Sequence, residues 1–436
     1  MRRVIVVSVV TGFLLASLPP AFAARPLCYG KRATIVGNAR DNVIRGTRRA
    51  DVIVGRAGDD RIAGRGGRDR ICGGSGDDRI TGGDRRDRVN GGDGSDRLAG
   101  GTGGDLMYGG TGTDGVTGGS GSDAMRGGTG GDTLTGKDGH DLARGGTGAD
   151  LITGNDGDDH LVGEDGDDRM TAEDGDDILE GGEGNDTLGD RELAEDGNDR
   201  LAGGEGHDTV LAGEGDDRAS GGNGNDYVGG QEGDDPELFG GDGVDAVEGG
   251  DGNDGLVSGG LGNDRITGGS GNDVLDGAEG DDSQIDGGEG DDTLSGGEGN
   301  DRPSGVVGAN GMSGGPGTDI IDGGAGEDTA DGGDGDDELR GSDDNDLLTG
   351  AAGNDFIDGG AGSDTADGGD GDDELRGSDD NDILTGAAGN DDLFGDAGDD
   401  NLDGGADSNT NDGGDGTDTC VNPTTAEGAT NCELPA

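Results

Sequence analysis

Residues Gly73–Thr81 read GGSGDDRIT, and the same nine-residue pattern returns as GGDGSDRLA from Gly91 and GGSGNDVLD from Gly268. The consensus is G-G-x-G-x-D-x-U-x, with U a medium-sized apolar residue. Followed outward, the register starts at Gly37 and ends at Val421. It comprises 42 units of nine, interrupted by four extra residues at Asp190–Leu193 and by one each in the units starting at Gly230, Gly249 and Gly277. Position 6 is Asp in 39 units and Asn in the other three, at Asn42, Asn310 and Asn409. Position 8 runs Ile44, Ile53, Ile62, Ile71, Ile80, Val89 and Leu98, and stays mostly apolar to Leu402. An aspartate and an aliphatic residue held in fixed phase over this length mark a solenoid, in which each unit stacks on its neighbours.

Composition narrows the possibilities. Glycine supplies 111 of 436 residues, but with a period of nine, so a collagen helix is excluded. Tryptophan is absent and aromatics are 2%, too few for an ordinary globular core. One buried side chain per nine residues is a poor return against the entropy of ordering so glycine-rich a chain. Together with a net charge of −69, this predicts that the metal-free chain is unfolded.

The charge is unevenly placed. Residues 1–99 hold 19 basic and 11 acidic side chains, whereas residues 100–436 hold 11 and 88. The acidic part excludes nucleic acid as a general partner, since phosphate needs cations. Divalent cations are its natural compensation; one Ca²⁺ in each of about 30 units would supply most of the charge required.

Arg2 and Arg3, the apolar run Val4–Leu18 and Ala21-Phe22-Ala23 form a secretory signal, residues 1–23. The competing reading, a membrane anchor, needs a longer apolar run. No membrane span is expected after cleavage, and the protein is expected to be secreted and extracellular. Cys28, Cys72, Cys420 and Cys432 sit in pairs at the two ends of the array. Three pairings exist. The length of the solenoid favours Cys28–Cys72 and Cys420–Cys432, because the ends of a long rod do not meet.

The chain then divides into a stapled cap of degenerate units (24–72), the repeat array (73–421) and a tail (422–436). Arginines replace turn glycines at Arg40 and Arg49, so the units from Gly37 to Cys72 are expected to bind metal weakly. Gly305–Ser313 has no acidic residue and follows Pro303, which stands where an apolar strand residue belongs. A defect is expected there, and bulges or kinks at the insertions. Gly323–Asp355 and Gly359–Asp391 are the same 33 residues apart from Glu327/Ser363 and Leu347/Ile383. Their spacing of 36 is a multiple of 18, which keeps a two-unit coil in phase.

From Gly37 to Val421 the chain resembles the RTX (repeats-in-toxin, hemolysin-type) calcium-binding repeat family. The resemblance implies an all-β, right-handed parallel β-roll: six residues of each unit form a turn and three a short strand, two units make a coil, and Ca²⁺ lies between turns of neighbouring coils. The implied calcium ligands are the position-6 aspartates, represented in the first part of the array by Asp78, Asp96, Asp105, Asp114, Asp123, Asp132 and Asp150. Further along they are Asp186, Asp208, Asp226, Asp264, Asp273 and Asp292, then Asp328, Asp337, Asp355, Asp364 and Asp373. Turn carbonyls would complete each site, with many ions per chain. Many relatives join such repeats to a catalytic domain; none is expected here.

Catalytic readings are weak. His140 and His207 fall at position 5 and His160 at position 7, both variable and exposed columns. Acidic pairs such as Asp77-Asp78 recur too often to be a glycosidase dyad. An EF-hand fails because so much glycine leaves no flanking helices. Two function classes remain: a secreted calcium-binding protein with a structural or interaction role, and an adhesin or module binding cell-wall or extracellular polysaccharide. An ice-binding face is disfavoured, since the threonines are scattered among positions 3, 7 and 9.

Overall fold

The computed structural model describes residues 25–189, 197–421 and 429–432. The signal segment, the Asp190–Leu193 insertion and most of the 422–436 tail lie outside them. No helix occurs among the described residues, and so none long and apolar enough to cross a membrane.

The nine-residue period becomes a strand and a tight turn. Positions 7–9 of one unit and 1–3 of the next form one strand, as in Arg79–Asp84, Arg88–Asp93 and Arg97–Thr102. Positions 4–6 turn the chain. Each strand pairs in parallel with the strand two further on, so that Ile80 lies beside Leu98 and Leu98 beside Val116. Alternate strands therefore build two facing parallel sheets, of 21 and 22 strands, and two units make one coil. The fold is the expected parallel β-roll. Its strands are longer than the three residues implied by the resemblance. Pairing continues past the glycines at positions 1 and 2, through Gly83–Gly101 and Asp84–Thr102.

The core is a single file. Ile80, Val89, Leu98 and Met107 come alternately from the two sheets and meet between them, each almost fully buried, and the file runs from Ile44 to Cys420. One aliphatic side chain per unit suffices because the sheets are held close by glycine. A Cβ on Gly91 would overlap Asp96 Oδ2 and stand 2.6 Å from Gly109 O. At position 2, φ is positive (+123° at Gly92), which any residue but glycine adopts only with strain.

Both ends are stapled as expected, Cys28 to Cys72 and Cys420 to Cys432, with Cα–Cα separations of 5.9 and 5.7 Å. The Leu27–Cys28 and Lys31–Arg32 hairpin does not plug the open end of the roll. It lies on the outer face of one sheet, where Cys28 and Ala33 pack on Val54, and Tyr29 donates a hydrogen bond to Val89 O (2.9 Å).

The insertions are absorbed locally. In each ten-residue unit the extra residue falls between the buried aspartate and the buried apolar residue: Asp235 and Leu238, Asp254 and Val257, Asp282 and Ile285. This is the geometry of a bulge, and the ladder continues on both sides. Across the four-residue insertion Asp177 N still donates to Asp199 Oδ1 (2.8 Å). The cost is two neighbouring strands of one sheet shortened, to Arg169–Thr171 and Thr187–Leu188.

The weak point near Pro303 lies in the strand, whereas the sequence placed it in the whole unit. Pro303 is buried in the core file but has no N–H for the ladder. Val306 has φ +71°, an outlier for a β-branched residue. The strand Pro303–Val307 pairs with its successor at only two positions. The turn that follows is intact: Asn310 is buried and hydrogen-bonded to both neighbouring coils. At limiting calcium, trypsin-free proteases of broad specificity should cut within 303–307 before the duplicated coils at 323–391; first cuts inside 323–391 would refute this ranking of local stability.

Candidate metal centres along the two edges

The turns stack into two edges, and position 6 builds the inner line of each. Along one edge Asp60 N donates to Asp78 Oδ1 and Asp78 N to Asp96 Oδ1, both at 2.7 Å. Along the other, Asp69 N donates to Asp87 Oδ1 (2.7 Å) and Asp87 N to Asp105 Oδ1 (2.6 Å). One carboxylate oxygen is thus used by the fold itself, and the side chains are buried.

The second oxygen is left over. In 38 of the 39 position-6 aspartates Oδ2 is buried without a hydrogen-bond partner. The exception is Asp51, whose Oδ2 accepts from Thr47 N (2.7 Å) and Thr47 Oγ1 (2.9 Å). Native proteins rarely leave buried oxygens unpaired, and a whole column of them calls for a ligand. The position-4 carbonyls add to it. Position-3 carbonyls accept from the position-4 N–H of the preceding coil, as Gly76 N donates to Asp93 O, and position-6 carbonyls accept from position 7, as Arg79 N donates to Asp60 O. Among the described residues, no main-chain N–H is donated to a position-4 carbonyl. Position 4 itself is glycine for steric reasons: φ is +128° at Gly94, and a Cβ there would overlap Gly76 O.

Each of these 38 turns therefore offers oxygen acceptors and no opposing donor. This set fits a hard cation of the calcium type, which takes six to eight oxygens from carboxylates and carbonyls in flexible geometry. Among the described residues there is no compact group of three or more His, Cys, Asp or Glu side chains. A cation here would rely on main-chain carbonyls for much of its shell, which explains why one acidic residue per unit is enough.

Burial raises the carboxyl pKa values, and the neighbouring carboxylates of the stack add to the effect, against the main-chain hydrogen bonds that lower them. Asp87, Asp96, Asp123 and Asp177 are pushed up to about 7, and Asp78 and Asp150 to about 6. The roll is built to hold a charge that it does not itself neutralise.

All eighteen aspartates singled out from the sequence occupy this position and carry the unpaired oxygen. Twenty more of the same column, among them Asp60, Asp141 and Asp217, are equivalent, and the column itself was the signal for them. The internally satisfied region is narrower than the 24–72 cap. It covers only the units of Asn42 and Asp51, in which Arg40 and Arg49 lack the positive φ of a position-4 glycine, while Asp60 and Asp69 resemble the rest.

A second line escaped the sequence reading. Position-5 side chains accept from the position-5 N–H of the next coil: Asp77 N to Asp59 Oδ1 (3.0 Å), Ser95 N to Asp77 Oδ1 (2.9 Å). This line runs opposite in sense to that of position 6, so each coil is tied in both directions. In the duplicated coils it alternates Asp336, Asn354, Asp372, Asn390, and each Asn donates its amide back to the preceding Asp at 2.9–3.0 Å. Alternation removes the repulsion that stacked carboxylates would suffer. His140 and His207 belong to this line, their Nδ1 accepting from Asp158 N (2.9 Å) and Asn225 N (2.7 Å). His160 lies on the outer face, 3.3 Å from Glu180.

A parallel roll with two edges of buried, cation-ready oxygens defines the class as a cation-binding repeat protein. The RTX calcium-binding nonapeptide repeat model matches the chain in overlapping stretches from residues 36–71 to 385–420. The matches pause between 188 and 193, at the four-residue insertion. The chain belongs to this family and carries its calcium-binding repeats. The comparison with curated proteins gives no match.

Proposed function

We propose that the protein is a secreted, non-catalytic rod that binds calcium at most of its turns, folds outside the cell when it meets the ion, and serves there as a structural or interaction element. The observation that carries this reading is the column of 38 buried carboxylate oxygens without partners. Occupancy at most of these turns supplies enough positive charge to offset the −69 of the chain. Export of an unfolded chain suits the signal at residues 1–23 and the cysteines paired at both ends, which oxidising surroundings keep bridged.

A second reading, binding of an acidic cell-wall or extracellular polysaccharide, is supported by one observation. Arg61, Arg79 and Arg97 lie side by side on adjacent strands of one sheet, exposed, and none forms an ion pair among the described residues. An unmatched cationic stripe in so acidic a protein is a surface for an anionic polymer.

The test is to recover the protein from the medium of cells that make it. Mass spectrometry is expected to show Ala24 or Arg25 at the N-terminus, with bound calcium removed by chelator. A membrane-held chain that keeps Met1 would overturn the secreted rod.

A further inference from the structure

Three units carry asparagine where the others carry the aspartate, and the exchange changes the chemistry of the turn more than its shape. In Asn310 the ladder survives intact. Oδ1 accepts from Asp292 N (3.0 Å), and Asn310 N donates to Asp328 Oδ1 (2.7 Å). Nδ2 stands against Gly305, where the aspartates place their unpaired Oδ2. From there it donates to Gly308 O, the position-4 carbonyl, at 3.2 Å. Asn409 keeps the ladder too, with Oδ1 accepting from Asp391 N (2.8 Å), but its Nδ2 donates to the carbonyls of positions 1 and 3, Gly404 O (2.6 Å) and Ala406 O (2.8 Å). In the first unit Asn42 Nδ2 donates to Arg40 O, again at position 4.

We infer that Asn42, Asn310 and Asn409 hold their turns with the side-chain NH₂ in the role that a cation plays in the aspartate units, so that these three turns form without calcium. The inference rests on the calcium-binding reading of the array. In Asn42 and Asn310 the amide presents the positive end of an N–H bond to the position-4 carbonyl that would otherwise face an ion, and in Asn409 it ties the turn to carbonyls at positions 1 and 3. The same group repels a cation and supplies no second anionic oxygen, so the turn is both closed and metal-free.

The placement has a physical reason. Asn42 lies in the first unit and Asn409 in the last but one. A turn at the end of a stack lacks one neighbouring coil and with it part of any ligand set shared between coils. A covalently attached donor needs no neighbour. The C-terminal end extends the device: Asn411 occupies the core file, fully buried, and its Nδ2 donates to Val421 O (3.0 Å). The disulfides Cys28–Cys72 and Cys420–Cys432 staple the same two ends of the array. The ends are thus built to stand while the ion-dependent coils between them come and go.

The experiment counts calcium ions on the mature chain by native mass spectrometry at saturation, with circular dichroism on the same samples. Asn310→Asp should take up at least one ion more than the unaltered chain. Asp264→Asn should lose at least one ion and keep the full β signal. Asp264→Ala should lose the ion and also need more calcium to fold, because it forfeits the ladder bond to Asp245 N. The inference is overturned if a folded Asn310→Asp gains no ion, or if Asp264→Asn loses β signal as far as Asp264→Ala does. Should the unaltered chain bind no calcium, the calcium reading itself falls, a result distinct from either of these.

Discussion

In excess chelator at neutral pH the mature chain is expected to scatter as an expanded coil with a radius of gyration of about 75 Å, the value for an unfolded chain of this length. Millimolar calcium should reduce it to about 30 Å, that of a rod about 100 Å long made from some 21 coils at the ~4.8 Å strand spacing. The reason lies in the two edges. Consecutive position-6 carboxylates of one edge are joined by a single main-chain hydrogen bond, as Asp96 is to Asp114. Their second oxygens are buried with no donor. Burying one unpaired carboxylate costs several kcal/mol, and here the cost recurs in every turn. A core file of single aliphatic side chains is too thin to offset it. Calcium reverses the sign by turning each orphan oxygen into a ligand. Small-angle scattering of a calcium titration decides the matter, and a rod-like profile in chelator at pH 7.5 would refute it.

Protons should do part of the work of calcium. In the folded roll Asp87, Asp96, Asp123 and Asp177 have carboxyl pKa values raised from 3.8 to about 7, chiefly by burial. A group raised on folding favours the folded state below its unfolded value and loses that contribution as pH climbs through the folded one. For the metal-free roll the window runs from about 4 to about 7, so acid stabilises it. In chelator, lowering the pH from 7.5 to 5 should therefore raise the β signal and compact the chain. At pH 5 the chain is still above its isoelectric point of about 4.1 and keeps negative charge. With calcium present the effect runs the other way. Ligands must be deprotonated, so affinity should fall below pH 7, by about tenfold per pH unit for each proton displaced. Circular dichroism in chelator at pH 7.5 and 5 tests the first half, and calcium midpoints at pH 8 and 6 the second. Identical spectra at both pH values in chelator would show that the buried carboxylates do not control folding.

Much of this was legible in the residues because the decisive relations are local. Gly91 and Asp96 are five residues apart and belong to one turn, and Leu98 follows two residues later. The period, the core file and the fixed column of aspartates follow from such short spacings; the parallel roll and the ligand role of that column were implied by the family resemblance, and the two disulfides by the length of the rod. The tertiary structure alone decided what depends on contacts 18 residues away, between coils. It assigned one oxygen of each aspartate to the ladder and left the other for a cation. It revealed the position-5 line, whose column looks variable because Asp, Asn, Ser and His all present an acceptor to the next coil. It placed each single insertion just after the aspartate, where the chain swells without breaking either edge. It also separated the strained strand at Val306 from the sound turn at Asn310, since strain is a matter of backbone angle and the turn is closed by an amide that sequence records only as a missing charge.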